Sequence, residues 1–185
     1  LTLVLLALLV DLPALAAADD LLRERLTGLR PQVSPVVAGV RLSDPGLIDE
    51  FYLGRGYEHA WIDTAQVAGL KALAERSREH GLRPDDFNLE AIEALAGSGG
   101  AAALAGPSRA DAEILLTDSL LRIIRYHGYG KVDPQALDSS WNHADGPDPA
   151  RLIRDLERAL AGPDLAAEVT AMWRRPDFYR RLQDG

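Results

Sequence analysis

Only a few residue types in this sequence could do chemistry, and their spacing limits what that chemistry could be. The four histidines, His59, His80, His127 and His143, are scattered. No two stand at i, i+4, and none has the histidine-glutamate spacing of a zinc protease, so no metal site is expected. The chain has no cysteine, which removes disulfides, thiolate ligands and a thiolate nucleophile. No G-x-S-x-G elbow presents a serine, and Ser139-Ser140 falls in a polar turn. Carboxylate chemistry is what remains. A pair of acidic side chains can cleave a glycosidic bond, one as acid and the other as base or nucleophile. Glu50, Asp63 and Glu113 are candidates, but 28 acidic residues give no means of choosing among them. The expectation is a chain with no catalytic, cofactor-binding or metal site and no cofactor.

The bulk properties say what could hold such residues in place. In 185 residues with 47% apolar content there is enough to build one core. Aromatics are few while alanine and leucine recur, and both lose little side-chain freedom in a helix. The expected fold class is all-α, an irregular bundle of six to eight short helices. A net charge of -8 excludes a polyanion partner, since nucleic acid requires a basic face. Arg174, Arg175, Arg180 and Arg181 read as a solvated helix face.

Along the chain, helices alternate with clear punctuation. Asp19 and Asp20 open a helix through Leu22, Leu26 and Leu29 that Pro31 ends. Pro31 to Leu42 is a loop with one short extended piece. Ser43 is the expected N-cap of a helix burying Leu47, Ile48, Phe51 and Tyr52. Asp63 or Thr64 caps the next, with Val67, Leu70, Leu73 and Ala74 inward and Gly81 beyond its end. Leu89, Ile92 and Leu95 mark a short helix, and the glycine- and alanine-rich stretch from Gly97 to Pro107 is expected to be a flexible connection. The strongest helix begins at Ser108 and carries Ile114, Leu115, Leu116, Leu120, Leu121, Ile123 and Ile124 toward Gly128. Its apolar groups exceed one face, so it is expected at the buried centre. Asp148-Pro149 starts a further helix, and a last one carries Leu165, Val169, Met172 and Trp173.

Residues 1–18 have the shape of an export signal. Leu1 to Val10 is apolar but too short to span a bilayer as a helix, and Ala14 to Ala18 offers A-x-A cleavage patterns before Ala17 or Asp19. The first residue is Leu1 and no basic n-region precedes the apolar run, so the signal is expected to be truncated at its start. Export to the periplasm or cell envelope follows from this reading. The alternative is an uncleaved apolar helix in a cytoplasmic protein.

Four strings, taken in order, carry a resemblance. They are Phe51-Tyr52 leading through Arg55-Gly56-Tyr57 to Ala60-Trp61, then His80-Gly81-Leu82-Arg83-Pro84-Asp85-Asp86-Phe87, then Leu116-Thr117-Asp118, then Gly130-Lys131-Val132-Asp133-Pro134 followed by Trp141. Together they resemble the amino-terminal scaffold domain of YcbB-type L,D-transpeptidases, over roughly residues 30 to 182. The resemblance implies a parent enzyme that cross-links peptidoglycan stems through a cysteine in a separate YkuD-type catalytic domain. It implies that residues 19–185 are the scaffold part, ending before the peptidoglycan-binding and catalytic domains, and non-catalytic alone. Its partners would be those downstream domains of the same polypeptide and, weakly or indirectly, peptidoglycan. Two other readings stand beside it: a free-standing peptidoglycan-binding adaptor, and a carboxylate-based wall lytic enzyme. On the residues alone, the glycines suit helix ends and the aromatics suit anchors between helices.

Overall fold

A computed structural model describes residues 12–96, 101–131 and 147–173. Within them the chain is mainly α, with seven α-helices, three short 3-10 turns and one small hairpin. The long helix α5 (Gly106–Tyr129) is central, and six other helices surround it: α1 (Leu12–Leu29), α2 (Pro45–Gly54), α3 (Thr64–Arg76), α4 (Leu89–Ala96), α6 (Pro149–Ala161) and α7 (Leu165–Met172). Strands β1 (Val36–Val37) and β2 (Val40–Arg41) pair antiparallel in the loop between α1 and α2.

Helix α5 is central because its buried residues, most of them apolar, fall on nearly every face, and such a helix must be covered on every side. Ala112, Ile114, Leu115, Leu116, Leu120, Leu121 and Ile123 are all buried. Leu22, Leu26 and Leu29 share one face of α1, at spacings of four and three, and are buried where α1 packs on α5. Leu47, Ile48, Phe51 and Tyr52 make the buried face of α2, as their spacing requires. Helices α3 and α7 approach closely at Gly69, where an added Cβ would stand 3.4 Å from that of Leu165.

The helix ends correct several local expectations. The N-cap of α2 is Asp44, whose carboxylate accepts from Leu47 N at 3.1 Å, so Ser43 is freed for another partner. The N-terminus of α5 lies at Gly106, with Pro107 in its first turn, rather than at Ser108. Proline there costs no hydrogen bond, because the first N–H groups of a helix have no internal acceptor. Helix α1 starts at Leu12 rather than Asp19 and runs through the expected cleavage point. Part of the stretch expected to be a flexible connection is structured: Ala101–Ala103 form a 3-10 turn, and Ala101 is buried. Asp63 caps α3 in a capping box with Gln66, and Asp148 caps α6. Gly81, in the left-handed region at φ 74°, closes the 3-10 turn Ser77–His80 that extends α3. Gly97 to Gly100, Val132-Asp133-Pro134, Ser139-Ser140, Trp141, His143 and the four arginines from Arg174 lie outside the described residues.

Candidate functional site

The chemistry-bearing groups of the chain gather on α5, where polar residues stand four apart on an otherwise apolar helix: Arg109, Glu113 and Thr117, then Asp118 and Arg122. Glu113, Thr117, Asp118 and Ser119 are fully buried, and Arg109 is 8% exposed.

Glu113 is the first hub. After α2 the chain turns through Gly56 and Tyr57, both left-handed, at φ 65° and 68°. Such a conformation costs a residue with a Cβ about 1–2 kcal/mol, and surrounding contacts hold Tyr57 in it. Its N–H donates to Tyr52 O at 2.8 Å, its hydroxyl accepts from Arg30 Nη2 at 3.2 Å, and the Arg23 guanidinium lies 4.9 Å from its ring centroid. The turn aims the next N–H groups at α5. Ala60 N donates to Glu113 Oε2 at 2.9 Å and Trp61 N to Oε1 at 3.3 Å. Arg109 Nη2 sits 2.7 Å from Oε1 and donates to Trp61 O at 2.6 Å. His59 Nδ1 is 3.3 Å from Glu113 Oε1 and 3.4 Å from Arg109 Nε.

A single chain of protons continues from Glu113 into the core. Tyr52 Oη is 2.9 Å from Glu113 Oε2 and 2.8 Å from Thr117 Oγ1, and Trp61 Nε1 donates to Thr117 Oγ1 at 3.0 Å. The indole can only donate and the carboxylate can only accept. The order Trp61 to Thr117 to Tyr52 to Glu113 therefore satisfies every group with one proton each. Burial pushes the Glu113 carboxyl up, but the His59 hydrogen bond, the Arg109 charge and the Ala60 N–H outweigh it and leave the carboxyl below its usual range. Burial, followed by the neighbouring Glu113 charge, drives the Tyr52 phenol well above its usual value.

Asp118 is the second hub. Its Oδ1 accepts from Ser43 N and Ser43 Oγ, both at 2.7 Å, and its Oδ2 accepts from Asn88 Nδ2 at 2.9 Å and Arg122 Nε at 2.7 Å. Asn88 closes the 3-10 turn Pro84–Phe87 at φ 58°, so the second string reaches the third through this carboxylate. It reaches the fourth through Asp86, which holds Lys131 Nζ at 2.8 Å from both oxygens. Burial raises the Asp86 carboxyl, and the bond to Lys131 with its charge more than reverses that.

Among the described residues a serine and a histidine meet that no local spacing in the sequence pairs. Ser77 Oγ lies 2.8 Å from His127 Nε2, and the His127 ring stacks on Trp173 at 3.8 Å with His80 at 5.1 Å. Ser77 is buried, and its Oγ also lies 2.9 Å from Leu73 O, which ties it to the preceding turn of its own helix.

The carboxylates singled out for glycan cleavage do not assemble into a pair. Glu50 is exposed on α2, Asp63 is spent on the cap of α3, and Glu113 is fully buried with both oxygens occupied. Among the described residues no group of three His, Asp or Glu is placed to hold a metal ion. A groove of about 420 Å³ between α1 and the start of α5 is lined by Leu21, Glu24, Arg25, Gly28, Pro107 and Ala110. Its Arg25 is engaged by Asp111 at 2.6 Å.

No curated protein and no solved structure matches the chain. A family described as Scaffold domain matches it over residues 46–185, from the first turn of α2 through all four strings. With that match over most of its length, the chain belongs to the Scaffold domain family.

Proposed function

We propose that this chain is the non-catalytic scaffold module of an exported, peptidoglycan-cross-linking L,D-transpeptidase, and that it fixes the relative positions of catalytic and wall-binding domains in a longer polypeptide. Membership of the Scaffold domain family supports the positional role. The observation that carries it is the inward direction of the chain's polar chemistry: Tyr52, Trp61, Thr117 and Glu113 bond to one another, Asp118 bonds to Ser43, Asn88 and Arg122, and all five side chains are buried. Groups spent this way hold helices in place, and positioning reacting groups is itself a large share of catalysis. The cysteine chemistry would belong to the separate catalytic domain, because these 185 residues contain no cysteine.

Two experiments test the reading. An antibody against the chain, used on envelope and cytoplasmic fractions of cells that express it natively, should detect an envelope polypeptide well above 20.1 kDa. A band at or below that mass would favour the free-standing adaptor. The purified chain, incubated with disaccharide-tetrapeptide and with intact sacculi, should leave both unchanged by mass spectrometry. New cross-linked dimers would overturn the scaffold role, and released muropeptides would favour the lytic enzyme.

A further inference from the structure

Tyr57 is the strained residue between α2 and the Glu113 hub. Its φ of 68° lies where a residue with a Cβ stays only when its surroundings over-determine it. One of the contacts that hold it, the bond from its N–H to Tyr52 O, belongs to the turn itself. Two others come from the first helix, and both are made by cations. The Arg23 guanidinium lies over the ring at 4.9 Å from its centroid. Arg30 Nη2 donates to the hydroxyl at 3.2 Å, while the same guanidinium grips Asp49 of α2 at 2.8 and 3.1 Å. Arg30 directly follows the last residue of α1, about two turns beyond Arg23, so both reach the same side. Leu22, Leu26 and Leu29 dock that helix on α5.

These contacts tie α1 to a carboxylate it does not touch. The Tyr57 turn leads straight into Ala60 and Trp61, whose N–H groups donate to Glu113 at 2.9 and 3.3 Å. Without Arg23 and Arg30, the turn loses both of the cation contacts that hold it against its strain. Once it relaxes, the two N–H groups leave Glu113, and a fully buried carboxylate is short of two donors. We propose that α1 is a strap whose closure completes the Glu113 hub, so that lifting α1 opens the hub before the rest of the bundle. The grip of the strap is electrostatic and open to solvent. The Arg23 and Arg30 side chains are 51% and 49% exposed, so salt loosens it. The strap stands independently of the transpeptidase reading.

The test is native-state hydrogen exchange of the purified chain, followed by NMR at the Ala60 and Trp61 amides. The amides of Leu156 and Val169, buried on α6 and α7, serve as the reference. Arg23→Gln combined with Arg30→Gln should speed exchange at Ala60 and Trp61 about tenfold, as release of a strained turn implies. At Leu156 and Val169 the change should stay below about twofold. In the wild type, raising sodium chloride from about 20 to about 500 mM should speed the Ala60 and Trp61 amides, and in the double variant it should not. Lys131→Ala, which removes another half-exposed pair, should leave both amides as they are. Unchanged exchange at Ala60 and Trp61 in the double variant would show that the turn stands without α1. Equal acceleration at all four amides would show a general loss of stability. Either result overturns the strap.

Discussion

Glu113→Gln keeps the shape of the buried side chain and removes its charge, so it isolates what the carboxylate does. The wild-type group accepts from Arg109 at 2.7 Å, from Tyr52 and Ala60 at 2.9 Å, and from Trp61 at 3.3 Å. Glutamine offers one acceptor oxygen and an NH2 that can only donate. If the oxygen faces Arg109, the NH2 meets the Tyr52 hydroxyl and Ala60 N–H; if it is flipped, the NH2 meets the guanidinium. Either way donors confront donors, and Arg109 loses its counterion. Breaking a buried pair from one side costs about 3–5 kcal/mol, against about 5–15 kcal/mol for a whole domain. For a chain of this length that is a fall in Tm of roughly 6–20 °C, at about 2–4 °C per kcal/mol. Thermal and urea unfolding at pH 7, followed by circular dichroism, measure it. The pH dependence carries a second signature. The folded Glu113 carboxyl titrates below its ordinary 4.5, so its stabilisation is present above pH 4.5 and is lost as pH falls through the folded value. The gap between wild type and E113Q should therefore narrow in acid. A loss below about 1 kcal/mol, or a gap that stays constant into acid, would refute the keystone role.

Tyr52→Phe tests the next link. The phenol is held neutral above its ordinary 10.0, so its stabilisation is present below pH 10 and is lost as pH rises through the folded value; alkaline denaturation should be shallower in the variant. Leu120→Ala, at a site with no solvent exposure, should cost about 2–5 kcal/mol in urea unfolding, and a cost below about 0.5 kcal/mol would place α5 at the surface. Lys131→Ala should cost about 0–1 kcal/mol, because the lysine is half-exposed and its pair with Asp86 is screened by solvent; a loss as large as that of E113Q would contradict the distinction between surface and buried pairs.

Much of the helical frame is legible locally. The inward face of α2 and the caps at Asp63 and Asp148 depend only on residues within one or two turns, so spacing and cap chemistry suffice. Where two residues could serve equally, distance decides. Ser43 and Asp44 are both good N-caps, and the choice falls to Asp44 because Asp118, 75 residues away, takes Ser43. The polar spine was visible as Arg109, Glu113 and Thr117 at intervals of four inside an apolar helix, yet apolar content dominates a reading of that segment and makes Glu113 one acid among many. The meeting of Ser77, His127 and Trp173 has no local signal, since their positions differ by dozens of residues.

The placement of the two hubs explains why a scaffold would keep charge in its core. Ser43 immediately precedes α2 and binds Asp118, while Tyr52, near the end of α2, binds Glu113. Five residues of α5, about 7.5 Å along its axis, thus clamp α2 at both ends in antiparallel sense. The Glu113 end also fixes the loop through Ala60 and Trp61, and the Asp118 end fixes Asn88 at the start of α4. An apolar substitute of equal volume could be as stable or more so, but an apolar face of leucines and alanines tolerates sliding by a turn. A carboxylate that needs three or four donors at 2.7–3.3 Å does not, because a shift of one residue leaves every donor unpaired. Directional bonds thus convert a collapsed bundle into one with a single register, and a single register is what any domain attached to a scaffold requires if its reacting groups are to meet in one geometry.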